Sequence, residues 1–237
     1  PKGRERQERR HDTMGRESSM GTSAGPTTTA VQRIIGGDCL QHTEWLGADV
    51  LITDPPYGIR YSSGMRRSRL AKSIVGDQDL SLRDRVLELW GARPARVFGS
   101  WKRRRPNGTK MLLVWDTKGA LGMGNLKLPW KPSHQEIYVL GTGFVGRRDT
   151  DVLRCAPVQS MSRGGRTHPH EKPVALIEML LAKCPTEWTI ADPFAGTGAV
   201  LIAAKRMGRS AIGVEIDDGY VTIATQRLAA QGEKEDE

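Results

Sequence analysis

Cysteines are few in this sequence, and they lack the patterns of a disulfide framework or a zinc site. The 237 residues contain three, Cys39, Cys155 and Cys184, which lie far apart and without paired spacing. Long hydrophobic runs are also lacking: none approaches the roughly 18 to 20 residues of a membrane span, and the first residues have no apolar stretch typical of a secretory signal. These absences argue against a disulfide-rich secreted domain or a membrane protein, and they favour a reducing compartment.

Apolar residues are nevertheless numerous enough for one folded domain. Hydrophobic residues make up 38% of the chain and charged residues 27%, a balance at which a sequence of this length buries a sizeable core. Residues 1–29 contain almost no apolar side chains, and residues 232–237 are nearly all charged. Because such segments cannot offset the entropy of ordering, we expect disordered tails on either side of one domain at residues 30–231.

Positive charge is concentrated in the middle of the chain. Residues 58–170 contain 22 Lys and Arg against 8 Asp and Glu, whereas the total net charge is only +9, so the remainder is acidic. A segment this basic is typical of proteins that meet a polyanion such as nucleic acid, although a solvated basic face would have the same composition. Charge therefore indicates a nucleic-acid partner without specifying it.

Short apolar runs alternate with helical patterns along the domain. Runs typical of buried strands occur at residues 49–53, 96–98, 111–115, 136–140, 189–191 and 211–214. Apolar residues three or four positions apart predict helices at residues 80–90, 174–184, 199–207 and 220–230. Because strands that alternate with helices pair in parallel through right-handed crossovers, we expect an α/β domain with helices on both faces of a mostly parallel sheet.

A turn near the C-terminus has the composition of a nucleotide-binding loop. The segment Asp192-Pro193-Phe194-Ala195-Gly196-Thr197-Gly198 follows a predicted strand and leads into a predicted helix, an arrangement in which backbone N–H groups can approach a ligand. The next strand ends at Glu215, about 20 residues later, where a carboxylate can accept hydrogen bonds from both hydroxyls of a ribose. Because the full G-x-G-x-x-G pattern is absent, we expect an adenosine ligand without a pyrophosphate.

The first predicted strand ends in Asp54-Pro55-Pro56-Tyr57, a group suited to binding an amine. Prolines fix the backbone and donate no N–H, so the Asp54 carboxylate and a backbone carbonyl can both accept hydrogen bonds from one NH2 group. Two acceptors can localise the lone pair of an exocyclic amine toward an incoming methyl group. The Tyr57 ring offers a flat surface for a base that has been lifted out of a duplex.

These motifs resemble those of the S-adenosylmethionine-dependent DNA amino-methyltransferases. The similarity is carried by residues 53–58 and 192–198 and by His168-Pro169-His170-Glu171-Lys172-Pro173, and it extends over residues 36–228. The catalytic motif precedes the cofactor motif, which is the order of the beta group of this family. The resemblance implies a Rossmann-like methyltransferase domain with a seven-stranded sheet and circularly rearranged motifs, and it implies S-adenosylmethionine as cofactor.

The same resemblance implies roles for individual residues. Asp38 would contact the adenine amino group of the cofactor, Phe194 would pack against the cofactor, and Glu215 would hold its ribose. Lys172 would border its methionine end, and the two loop glycines would make room for it. The expected catalytic residues are Asp54, Pro55, Pro56 and Tyr57. The expected cofactor-binding residues are Asp38, Asp54, Lys172, Asp192, Phe194, Ala195, Gly196, Thr197, Gly198 and Glu215.

Adenine N6 is the expected methyl acceptor, because family members with Asp in the position of Asp54 mostly act on adenine, whereas Ser is frequent in cytosine-N4 enzymes. The alternatives are methylation of cytosine N4 or of RNA, and a binding module that holds cofactor and DNA without turnover. A short insertion within residues 60–132, either 66–79 or part of 121–132, would recognise the target sequence. Arginines within residues 66–69 and 102–105 could span phosphates or reach guanine edges.

Double-stranded DNA is therefore the expected partner, restriction-modification the expected setting, and the cytoplasm of a bacterial or phage-type host cell the expected compartment. A homodimer and a nuclease partner are left open. We expect no metal site, because His168 and His170 have no third ligand at a suitable spacing. His134 is expected to be structural.

Overall fold

A sheet of eight strands organises the residues that the computed structural model describes, which are 30–58, 78–119, 124–158 and 171–231. In chain order the strands are β1 (Gln32–Gly36), β2 (Val50–Thr53), β3 (Ala95–Gly99), β4 (Met111–Asp116), β5 (His134–Leu140), β6 (Val152–Arg154), β7 (Ile190–Asp192) and β8 (Ala211–Glu215). The helices are α1 (Ser81–Trp90), α2 (Val174–Leu181), α3 (Ala199–Arg206) and α4 (Asp218–Ala229), with a short 3-10 helix at Glu44–Gly47. The tails expected at residues 1–29 and 232–237 lie outside the described residues, as does most of the candidate insertion at 66–79.

The order of the strands across the sheet is β1-β8-β7-β2-β3-β5-β4-β6. Neighbours are parallel except around β5, which runs antiparallel to both β3 and β4. β2 and β7 lie side by side near the centre, with Val50 opposite Ile190 and Leu51 opposite Ala191. Because parallel neighbours end at the same edge of a sheet, the segments that follow β2 and β7 meet there.

Strand β2 shows why the chain forms a layered α/β structure. Its residues are all buried, as a continuous apolar run requires in a parallel strand that is covered on both faces. Val50 and Ile52 belong to a core cluster that includes residues of α2 and α3, whereas Leu51 belongs to a cluster that includes residues of α1 and the 3-10 helix. Alternate side chains of one strand therefore anchor the helices of opposite faces.

Two helix boundaries differ from those predicted by periodicity. Helix α4 begins at Asp218, two residues earlier than expected, because the Asp217 carboxylate caps it by accepting hydrogen bonds from the N–H groups of Gly219 and Tyr220. Helix α2 ends at Leu181, three residues earlier than expected, and Pro185 follows shortly after.

The predicted α/β fold, with a mostly parallel sheet and helices on both faces, is confirmed, and all six strands predicted from apolar runs are present. The described sheet contains eight strands, however, and not seven. The strands that the apolar runs did not indicate are β1 and β6, which lie at the two edges of the sheet. Edge strands bury less of their surface, so β1 and the three-residue β6 need few apolar residues and leave a weak sequence signal. Among the described helices, none combines the length and apolar character needed to cross a bilayer.

Candidate active site

Four carboxylates follow four neighbouring strands at one edge of the sheet. Asp38 lies two residues after β1, Glu215 ends β8, Asp192 ends β7, and Asp54 comes directly after β2. These strands are mutually parallel, so their carboxyl ends face the same side. The structure thus brings the residues predicted for catalysis and for cofactor binding to one edge.

A buried hydrogen bond joins the two predicted motifs. The Thr53 hydroxyl donates to Asp192 Oδ1 over 2.7 Å, and the backbone N–H of Phe194 donates to the same oxygen over 3.1 Å. Thr53 and Asp192 are both almost fully buried. Sequence analysis did not select Thr53 as a site residue, although its position as the polar end of an apolar strand is a signal that could have indicated it.

Asp192 has an unusual protonation state for an aspartate. Burial raises its pKa from 3.8 to about 7, and the charges of Asp54 and Glu215 raise it further, against the opposing effect of the hydrogen bonds from Thr53 and Phe194. Because no cation contributes to this shift, the carboxyl group is about half protonated near neutral pH.

The Asp54 carboxylate is bound on both oxygens by residues of the predicted site. The Tyr57 hydroxyl donates to Oδ1 over 2.5 Å, and Lys172 Nζ forms an ion pair with Oδ2. Lys172 is 118 residues away in sequence and nearly buried, and its ammonium also lies 5.0 Å from the centroid of the Phe98 ring. Lys172, expected beside the methionine end of the cofactor, thus contacts the catalytic motif itself.

Asp54 keeps capacity for a further partner. A carboxylate oxygen has two lone pairs, so each oxygen can accept a second hydrogen bond in addition to those from Tyr57 and Lys172. Asp54 is partly exposed, with 24% of its side chain accessible, whereas Pro55 is buried and Pro56 half-buried. The motif therefore presents an acceptor at the open edge of the sheet on a rigid backbone.

The glycine loop and Glu215 form a second part of the site. Gly196 donates its backbone N–H to Glu215 Oε2 over 2.7 Å, and Asp217 donates to Oε1 over 2.9 Å. Burial raises the pKa of Glu215, and these two hydrogen bonds oppose the rise. A Cβ on Gly196 would meet nothing within 4 Å, whereas a Cβ on Gly198 would lie 3.0 Å from Ala224 Cβ. Gly196 therefore faces open space, and Gly198 faces α4.

Asp38 lies at the corner formed by β1 and β8. The backbone N–H of Gly37 donates to Glu215 O over 2.8 Å, and Asp38 Oδ1 accepts from the N–H of Leu40 over 2.9 Å. Burial raises the pKa of the adjacent Cys39 thiol to about 12, and the charges of Asp38, Asp192 and Glu215 add to this. A single thiol that senses these carboxylates shows that they surround one corner of the edge, and its raised pKa makes it a poor nucleophile.

The remaining cofactor-motif residues line the turn between β7 and α3. Ala195 and Thr197 are buried, and Phe194 is partly buried against the second core cluster. Open space at Gly196, a ring at Phe194 and acceptors at Glu215 and Asp38 suit an adenosine group, which has a ribose diol, an amino group and a flat base.

A basic segment follows β3, the strand beside β2. Residues 101–105 are Trp-Lys-Arg-Arg-Arg, and all five are exposed. Arg103 Nη2 donates to the carbonyl of Gly58, directly after the catalytic motif, and Arg104 pairs with Asp84 in α1. The Trp101 side chain is 65% exposed. Cations and an exposed aromatic ring thus flank Asp54 on the side away from the glycine loop.

Other predicted features are placed as follows. His134 is the exposed first residue of β5. In the described parts of the chain, no group of three or more His, Cys, Asp or Glu is arranged to hold a metal ion. His168 and His170, and the arginines of residues 66–69, lie outside those parts.

Residues 93–226, more than half of the chain, match the sequence profile of a family described as DNA methylase, N6_N4_Mtase. The YubD protein of Escherichia coli (strain K12), whose name describes it as a methylase, is 27% identical over 226 residues, which cover 84% of this chain and 91% of that protein. The type II methyltransferase M.ScaI of Streptomyces caespitosus is 36% identical over 107 residues, which cover 43% of this chain and only 35% of that protein.

Solved structures with the same fold include DNA methyltransferases. The M1.HpyAVI-SAM complex superposes with a TM-score of 0.59 at 20% identity and covers 84% of this chain and all of that chain. The cytosine-N4-specific PvuII DNA methyltransferase superposes with a TM-score of 0.61 at 15% identity and covers 85% of this chain and 87% of that chain. At these identities the similarity establishes the fold.

Proposed function

Because this chain belongs to the N6/N4 DNA methylase family, we propose that it transfers a methyl group from S-adenosylmethionine to the exocyclic N6 amine of adenine in double-stranded DNA. One observation carries the proposal: β2 and β7 are parallel neighbours, so the amine-binding motif and the glycine loop end at the same place. Methyl transfer needs the donor carbon and the acceptor nitrogen about 3 to 3.5 Å apart and aligned, which requires both sites at one edge.

The cofactor-binding residues are those around the glycine loop. Glu215 accepts hydrogen bonds from the ribose hydroxyls, Asp38 accepts from the adenine amino group, and Gly196 leaves room beside them. When bound, the cofactor supplies a methyl group on a positively charged sulfur, which is a good leaving group. The acidic groups of this edge, Asp54 and Asp192 among them, favour a cationic ligand.

Asp54 and a backbone carbonyl of the following prolines accept the two N–H groups of the target amine. This arrangement directs the nitrogen lone pair toward the donor and holds the amine in place. The Tyr57 hydroxyl and the Lys172 ammonium fix the orientation of the Asp54 carboxylate by binding one oxygen each. The target base lies against the Tyr57 ring after it has left the duplex.

The basic segment of residues 101–105 supports DNA as the polymer. Its cations lie beside the catalytic motif, where the phosphates on either side of an extruded base would pass. The Asp in position 54 supports adenine as the base. Cytosine N4 is the second candidate, because cytosine also presents an NH2 group on a ring edge and the same two acceptors would bind it.

Nucleoside mass spectrometry tests the proposal. Unmethylated DNA is incubated with the purified chain and S-adenosylmethionine that carries a deuterated methyl group, then digested and analysed. We expect labelled N6-methyladenine. Labelled N4-methylcytosine would replace the adenine proposal by the second candidate, and the absence of any labelled base in the presence of bound cofactor would favour a binding module. Single-molecule sequencing of the product would give the surrounding target sequence.

A further inference from the structure

Arg227, in the last turn of α4, contacts two segments of the site that are far apart in sequence. Its Nη1 donates to both the carbonyl and the hydroxyl of Thr197, over 2.8 and 2.7 Å. Its Nη2 forms an ion pair with Glu171 Oε1 at 2.7 Å. Thr197 stands between the two loop glycines, and Glu171 precedes Lys172, whose ammonium pairs with Asp54.

These contacts are largely shielded from water. The side chain of Glu171 is 5% exposed, that of Arg227 is 25% exposed, and Thr197 is buried. A buried carboxylate that loses its cation is strongly penalised, so this ion pair constrains Glu171 far more than an exposed pair would. The planar guanidinium reaches acceptors on two segments at once, a geometry that a lysine ammonium cannot reproduce.

The rest of α4 supports the same placement. Ala224 is the buried residue of this helix, and it packs against Gly198, where an added Cβ would lie at 3.0 Å. Ala224 and Arg227 are three positions apart and therefore share one face of the helix. That face covers both ends of the Gly196-Thr197-Gly198 turn.

We propose that Arg227 is a positioning residue that holds the glycine loop in a fixed relation to residues 171–172, and thereby to Asp54. The connection runs from Thr197 through Arg227 and Glu171 to Lys172 and its ion pair with Asp54. The inference rests on the proposed function, because it assigns to Arg227 the alignment of the cofactor site with the amine-binding site. A residue that merely attached α4 to the sheet would affect stability alone.

The test uses the full-length chain with three substitutions, Arg227→Gln, Arg227→Lys and Glu171→Gln. For each variant the melting temperature without ligand, the Kd for S-adenosylmethionine by calorimetry, and kcat and KM for DNA are measured. We expect Arg227→Gln to weaken cofactor binding by about threefold to tenfold, as the loss of hydrogen bonds to the loop predicts, and to lower kcat as well. Glu171→Gln leaves the Thr197 contacts in place, so it lowers kcat while the Kd stays within about twofold. Arg227→Lys restores part of both losses.

Arg206→Gln is the matched control. Arg206 joins α3 to Glu178 and Gln231 through the same kinds of contact, but on an exposed surface away from the site. This variant should keep the wild-type Kd and kcat.

The proposal is overturned if Arg227→Gln lowers only the melting temperature and keeps wild-type Kd and kcat below it. If Arg227→Gln does not fold, the other two variants decide: wild-type Kd and kcat in both would overturn the proposal, and the losses described above would support it. A wild-type chain that binds the cofactor but methylates no DNA would refute the proposed function, while the Kd values of the variants would still test the contact between Arg227 and the loop.

Discussion

Thr53 at the end of β2 donates a buried 2.7 Å hydrogen bond to Asp192 at the end of β7, although 139 residues separate them. Each residue belongs to a different functional motif, so this bond joins the amine-binding half of the site to its cofactor-binding half. The bond also opposes the rise in the pKa of Asp192.

Replacing Thr53 by the isosteric Val removes the donor and keeps the shape of the core. The Asp192 carboxyl then loses one of its hydrogen bonds inside the protein, so we expect a loss of about 1 to 3 kcal/mol in the free energy of unfolding. Urea unfolding at pH 8 measures it. Thr225→Val is the control, because Thr225 is exposed and bonds only within its helix; its effect should stay within about 0.5 kcal/mol. Equal effects of the two substitutions would contradict the role of Thr53.

Asp192 makes stability depend on pH in a direction that the raised pKa determines. The folded state binds the proton more tightly than the unfolded state, in which the pKa is near 3.8. The contribution of Asp192 to stability is therefore fully present below about pH 4, declines as pH rises toward the folded pKa of about 7, and remains low above it.

Asp192→Asn should remove this decline, because an amide keeps the acceptor for Thr53 and Phe194 and carries no charge. We expect the variant to gain stability relative to the wild type between pH 4 and pH 7, the interval that the two pKa values define. Thermal unfolding across that interval measures the difference. Parallel stability curves for the two proteins would show that Asp192 does not titrate as described.

Gly196→Ala tests whether the cofactor occupies the open space beside the loop. The added methyl group meets no protein atom within 4 Å, but the φ of +53° is unfavourable for alanine, so a small loss of stability is expected. We expect the variant to fold and to show no calorimetric binding of S-adenosylmethionine. Gly208→Ala is the control: its φ is +64°, it also has open space, and it follows α3 at the other end of that helix. Wild-type cofactor affinity of Gly196→Ala would place the cofactor elsewhere.

Trp101→Ala tests the DNA side of the site. Trp101 is exposed beside the cations of residues 102–105, and stacking of one base on an aromatic ring contributes about 1 to 3 kcal/mol. We expect a loss of this size in the binding of a fluorescent duplex that carries the target sequence, measured by anisotropy at fixed salt. Met207→Ala removes another exposed apolar side chain, beyond the end of α3, and should leave binding unchanged. Equal affinity of Trp101→Ala and the wild type would exclude contact between Trp101 and DNA.

The strands and loops that carry the motifs could be predicted because their signals are local. The buried run ending at Thr53 and the glycine turn after β7 each combine a strand pattern with residues that end it. The site residues at the edge, including Glu215 and Asp38, were identified by their distance from such strands and by the family resemblance.

The contacts between distant segments could not be predicted in the same way. Nothing in the local pattern around Arg227 or Glu171 shows that they pair, because both stand in segments whose charged residues are typical of any exposed helix or loop. The ion pair of Lys172 with Asp54 has the same origin: it follows from the sheet order, which places residues 118 positions apart at one edge. Sheet order depends on the packing of the whole core and not on any single segment.

The most direct measurement of the central claim is methyl transfer to DNA by the wild-type chain and by Asp54→Ala, with labelled S-adenosylmethionine and with the fold of the variant verified by circular dichroism. Removing the carboxylate leaves the target amine with one acceptor in place of two. The account predicts that the wild type incorporates label and that Asp54→Ala loses it by about 10²-fold or more, the size of effect seen when one positioned hydrogen-bonding group is removed from an active site. Incorporation by a folded Asp54→Ala variant at the wild-type rate would contradict it.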